Sequence, residues 1–107
     1  MKQIIEIKPK SSDKVLSGDK VITIQKGRRL YNLGDAVLLD PEDNKTISIE
    51  ILRVSYCKVK DTPIMDLALH GEKKWENLVD YLKQYYPTIK KDSVITIIRF
   101  QLKKDNK

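Results

Sequence analysis

The sequence predicts an α+β fold: a mixed β-barrel with two helices packed outside it. Three observations carry that prediction. Several runs rich in β-branched residues alternate apolar and polar side chains with the two-residue period of a strand. One stretch near the C-terminus repeats its apolar residues at three- and four-residue steps instead, as an amphipathic helix does. Finally, the strands follow one another without the alternating strand–helix order that builds a doubly wound sheet. A chain of 107 residues has room for one domain and one modest core. That domain is assigned to residues 1–102, followed by a basic tail, 103–107, expected to be disordered.

The first strand runs from Gln3 to Lys8, with Ile4 and Glu6 on one face and Ile5 and Ile7 on the other; Lys8-Pro9 ends it. Ser11, Ser12 and Asp13 are good N-cap residues and Gly18 a good residue just past a C-terminus, so Ser12 to Ser17 reads as a short helix. KVITIQK, from Lys20 to Lys26, is the next strand. A polar stretch and the turn pair Gly34-Asp35 lead into another strand from Ala36 to Leu39. The turn Asp40 to Asn44 then opens the longest β pattern, Lys45 to Val59. In it Ile47, Ile49 and Ile51 share one parity, whereas Leu52, Val54 and Tyr56 share the other. Side chains alternate faces at every residue, so this switch predicts a bulge or bend near Ile51-Leu52.

Asp61, Thr62 and Pro63 can start a short helix that ends at Leu69, stopped by His70-Gly71. Trp75, Leu78, Val79, Leu82, Tyr85 and Tyr86 form the apolar stripe of a second helix that ends at Pro87. Ser93 to Leu102 is the closing strand.

Charge and cysteine content narrow the function classes. Lys and Arg number 21 against 15 Asp and Glu, and the net charge of +6 favours polyanionic partners. One cysteine, Cys57, cannot form an internal disulfide or by itself a cysteine-based metal site, which fits a reducing compartment; a cytoplasmic location is expected. No apolar run approaches the roughly 20 residues that span a bilayer. The opening MKQIIEIKPK lacks the apolar core of a signal peptide. No membrane association, metal or cofactor is expected.

The segment GDKVITIQ, Gly18 to Gln25, resembles the G-x-K-x-x-T-x-R motif of ASCH domains, short modules of the PUA-like β-barrel superfamily. Gly34-Asp35 resembles that family's Gly-Asp before a strand, HGEKKWENLVDYLKQYYP its helix segment ending in Tyr-Pro, and VITIIRF its last strand. Together these cover about Lys14 to Leu102 in the family's order. The family includes bacterial amidohydrolases that deacetylate N(4)-acetylcytidine and members proposed to bind RNA. The resemblance therefore implies a PUA-like barrel that binds RNA or a modified nucleoside. In the hydrolases a Lys acts as base, a Thr as nucleophile and a Glu as proton donor. The first two roles fall on Lys20 and Thr23. The family's Arg is Gln25 here, a neutral amide that can pair with a base edge but cannot hold an anion. The family's Glu falls on His70, with Glu72 two residues on as the alternative.

Two functional readings follow from these residues: an RNA- or nucleoside-binding module, and an amidohydrolase acting on acetylcytidine. A third, a protein-interaction domain with a vestigial pocket, stands beside them. Catalysis would require Lys20 to lose its proton near neutral pH and to reach Thr23, and it would require an acid for the leaving amine. Lys20 and Thr23 are an odd number of residues apart, so in a regular strand they point to opposite faces. Apart from the catalytic candidates Lys20, Thr23, His70 and Glu72, the loop that follows carries Lys26, Arg28 and Arg29 beside Tyr31. Basic residues interleaved with an aromatic suit phosphate and base contacts, and with Gln25 they form the predicted binding set.

Overall fold

The computed structural model describes residues 3–9 and 11–104. Five strands form one curled sheet: β1 (Gln3–Glu6), β2 (Ile22–Lys26), β3 (Gly34–Asp40), β4 (Lys45–Lys58) and β5 (Val94–Leu102), in the order β1-β3-β4-β5-β2. β1 runs parallel to β3 and all other pairs are antiparallel. The result is a half-barrel whose two edges are β1 and β2. Three helices lie outside it, α1 (Ser12–Leu16), α2 (Ile64–His70) and α3 (Trp75–Lys83), matching the three helical segments read from the sequence but one more than the two expected outside the barrel, with a 3₁₀ turn at Val59–Asp61.

Alternation along the strands sorts their side chains into two cores. Ile5, Leu38, Ile47, Ile49, Ile51, Ile98 and Phe100 fill the concave interior of the sheet. Ile22, Ile24, Ile95 and Ile97 project from the other face and meet Leu67 of α2 and Leu78 and Leu82 of α3. β5 is therefore apolar on both faces, whereas β2 is buried on both but carries the polar Thr23 and Gln25 on its inner side.

The bulge in β4 falls where the parity switch predicts it. Ile51 pairs with Phe100 and Arg53 with Arg99, leaving Leu52 as the extra residue. Ile51 and Val54 both pack on the interior core as a result. Leu52 itself does not join them: it is exposed, because the bulged residue is the one that leaves the ladder.

The start of α1 also departs from expectation. Ser11 makes no side-chain cap; instead the buried carboxylate of Asp40, at the end of β3, accepts the Ser12 N–H at 3.4 Å. A residue distant in sequence thus meets one of the helix's orphan donors. α2 ends as predicted, with Gly71 in the left-handed region at φ 97°, a conformation that costs glycine no Cβ clash. At the C-terminal end, the Lys103 N–H donates to the Ser48 carbonyl and its ammonium to Asp35, while residues 105–107 of the expected tail lie outside the described residues.

The two edges of the half-barrel are bridged by a side chain. Lys8, just after β1, is buried, and its ammonium donates to the Ile24 carbonyl of β2 at 3.0 Å and contacts the Tyr86 hydroxyl at 3.3 Å. It also lies 5.0 Å from the centre of the Tyr86 ring and 5.4 Å from that of Tyr85. An edge carbonyl that no strand pairs is satisfied, and the cation gains partners for its desolvation.

Candidate functional site

A cleft of about 550 Å³ opens between the chain entering β2, the end of α2 and the outer face of α3. Lys14, Lys20, His70, Tyr81 and Tyr85 are among the residues that line it. The Lys20 N–H donates to the Lys14 carbonyl, so α1 and Gly18 deliver Lys20 into the turn before β2 rather than into the strand. His70 is placed by the last turn of α2, and its ring meets the edge of Tyr81 at 4.7 Å between centroids, nearly perpendicular.

Electrostatics in the cleft are set by burial and like charge. Burial, followed by repulsion from Lys8 and Lys14, lowers the Lys20 pKa to about 8. Lys8 is lowered to about 8 as well, by burial and then by Arg29. Burial, then Lys20 and Lys8, pushes His70 down to about 4, so its imidazole is neutral at physiological pH. The Nδ1 of His70 stands 3.4 Å from Glu72 Oε1, but without hydrogen-bond alignment: among the described residues this buried nitrogen has no hydrogen-bond partner. With the ring neutral the contact is not an ion pair. Burial raises the Glu72 carboxyl above the usual range.

Thr23 goes elsewhere. In β2 it is paired with Ile98, whose side chain belongs to the interior core, whereas Ile22 beside it faces the cleft. Its hydroxyl is buried and unpartnered among the described residues. Because Ile22 of β2 faces the cleft, its neighbour Thr23 lies on the opposite side of the strand from it. Base and nucleophile of the hydrolase scheme are therefore not brought together. Of the two acid candidates, His70 is neutral at pH 7, which leaves the Glu72 carboxyl, raised by burial, as the remaining proton donor.

The binding candidates divide among three places. Gln25 is buried, accepts the Tyr31 hydroxyl at 2.8 Å, and with Arg29 and Lys8 lines a second hollow of about 290 Å³ that shares Tyr85 and Pro9 with the main cleft. Lys26 donates to the Thr88 hydroxyl at 2.7 Å. Arg28 lies over the Tyr56 ring at 4.4 Å, and the Tyr56 hydroxyl donates to the Arg29 carbonyl. Thr96 holds the same loop from below, donating to the Gly27 carbonyl and accepting the Arg29 N–H.

Sequence reasoning missed Lys8, Lys14 and Tyr81 and treated Tyr85 only as part of a helix stripe. Lys8 has the outward parity of Ile4 and Glu6; the Pro9 that follows it, which ends the strand and re-aims the chain, was the available signal.

No family model matches the chain, and no curated protein does. Solved structures match over most of its length. A DUF984-family protein of Enterococcus faecalis V583 superposes with a TM-score of 0.72 at 14% identity, over 100% of this chain and 86% of that one. An ASCH domain from Lactobacillus crispatus gives 0.65 at 17%, over 85% and 69% of the two chains. A serine-to-alanine variant of an ASCH protein from Zymomonas mobilis gives 0.62 at 14%, over 92% and 66%.

The fold is that of an ASCH domain. At these identities the likeness is one of architecture, and in this ASCH fold the cleft beside Lys20 is described by the chain's own residues. Among the described residues no three or more His, Cys, Asp or Glu stand together as metal ligands, and no helix is long and apolar enough to cross a membrane.

Proposed function

We propose that this chain is an RNA-binding module that seats one nucleoside, ordinary or modified, in the cleft beside Lys20. The observation that carries the reading is a cation without a counter-ion. Lys20 stands half-buried on the cleft wall, repelled by Lys8 and Lys14, and no carboxylate partner is found for it among the described residues. Asp19 lines the same cleft but accepts from the Ser17 hydroxyl. An anionic group entering the cleft relieves this repulsion. Tyr81 and Tyr85 offer ring surface for a base, and the neutral His70 with Glu72 beside it offers polar atoms for a base edge. A phosphate for the cations, a ring for the tyrosines and a polar edge for His70 together describe a nucleotide unit of RNA. A cytoplasmic setting, where RNA is met and Cys57 stays reduced, accords with it.

Hydrolysis of acetylcytidine is the second reading, and the lowered pKa of Lys20 favours it, because about a tenth of the amine is then neutral at pH 7. The buried Thr23 and the neutral His70 weigh against it. One experiment addresses both readings: titrate cytidine, acetylcytidine and a short single-stranded RNA into the protein by calorimetry, and follow acetylcytidine chromatographically in the same samples. Binding that weakens with salt and with Lys20→Ala, without product, supports the module. Turnover abolished by Thr23→Ala supports the hydrolase. Heat changes absent for every ligand would sink both.

A further inference from the structure

A third hollow, of about 490 Å³, adjoins the main cleft on the side away from Lys8, and Leu69 is the common wall of the two. It is lined by the apolar side chains of Leu52 and Leu69, by Val21, Phe100 and Gln101, and by Arg53 and Arg99. These arginines are direct cross-strand partners at the β4 bulge. Like charges in that position oppose each other. Asp66, buried on α2, lies 3.6 Å from Arg99 and offsets one of them. Arg53 is exposed, and among the described residues no carboxylate is found for it. The bulge is what creates the hollow: it expels Leu52 from the ladder and leaves it half exposed beside the two guanidinium groups.

Exposed leucines beside an uncompensated arginine suit a ligand that is apolar on a face and anionic at an edge. We propose that this hollow is a second nucleotide subsite, taking the residue adjacent in the RNA strand to the one in the main cleft, with its base on Leu52 and Leu69 and its phosphate on Arg53. The inference rests on the nucleoside reading of the main cleft and gives that site a strand to belong to. The common wall at Leu69 lets consecutive nucleotides occupy both hollows, and a guanidinium suits a phosphodiester by its planar fork of donors.

Length-dependent binding tests this. Affinities of cytidine 5′-monophosphate and of a cytidine trinucleotide are measured by calorimetry for the wild type, Arg53→Ala, Leu52→Ser and Lys20→Ala, each at two salt concentrations. All three substituted positions are at least partly exposed, and circular dichroism checks that each variant is folded. The trinucleotide is expected to bind the wild type at least tenfold more tightly than the mononucleotide. Arg53→Ala and Leu52→Ser should remove most of that gain and leave mononucleotide affinity unchanged. Arg53→Ala should also reduce the salt slope of trinucleotide binding by about 0.7, the value for one phosphate of a single strand. Mononucleotide binding that depends on Lys20, with a trinucleotide no tighter or insensitive to Arg53 and Leu52, overturns the subsite and leaves the main cleft standing. If the wild type binds neither ligand, the reading of the main cleft fails and the subsite with it.

Discussion

Burial and like charge pull Lys8 and Lys20 down to about 8 and His70 down to about 4, and each depression ties stability to pH. His70 in the unfolded chain takes up a proton near pH 6.5, whereas the folded chain resists until about 4. The stability it contributes is full above 6.5 and is lost as pH falls through that window, by roughly 3 kcal/mol in all. The lysines act in the same direction at higher pH. The folded state disfavours their charged forms, so stability rises between about 8 and 10.5. Urea denaturation across pH 4 to 10.5 should show both rises, and His70→Gln should flatten the lower one. Thr23 offers a separate check. Its buried hydroxyl lacks a partner among the described residues, so Thr23→Val should leave the melting temperature unchanged or raise it. A clear drop would mean that the hydroxyl is engaged.

At the scale of elements, what was legible in the sequence was what repeats. The three- and four-residue steps around Leu78 and Leu82 report burial directly, and the parity switch after Ile51 foretold the bulge. What was not legible depends on contacts between distant segments. Asp40 caps α1 from the end of β3, and Lys8 spans the gap between edge strands; neither partner is close in sequence. The bulge likewise decided which leucine leaves the core, something parity alone assigns to the wrong residue. The consequence is measurable. Leu82 is fully buried against the sheet, and Leu82→Ala should cost roughly 2 to 5 kcal/mol in chemical denaturation. Leu52→Ala, at a half-exposed bulge, should cost within about 0.5 kcal/mol. Equal losses at the two positions would contradict this division of the core.

For the whole molecule, the half-barrel leaves its main cleft on the outside, where the chain entering β2 meets the helical layer. Lys20, from the ASCH-like motif, and His70 share one cleft. The motif was silent on which way Thr23 faces, because a motif carries residue order and spacing but not the side of a strand. The basic loop is held rigidly by Thr96 and Tyr56, at a distance from that cleft along the β2–β5 ladder. A charge-relieving cleft also predicts a pH effect on binding. The affinity of an anionic nucleotide should fall as pH rises past about 8, by up to about tenfold per pH unit as Lys20 loses its charge. Binding that holds steady from pH 7 to 10 would mean that Lys20 takes no part. The most direct test is a chemical-shift map of the labelled protein titrated with cytidine 5′-monophosphate. The account predicts that the His70 and Tyr81 ring signals and the Lys20 side chain move together and saturate, while Arg28 and Tyr56 stay still. Shifts confined to Arg28, Arg29 and Tyr56, with the cleft unmoved, would contradict it.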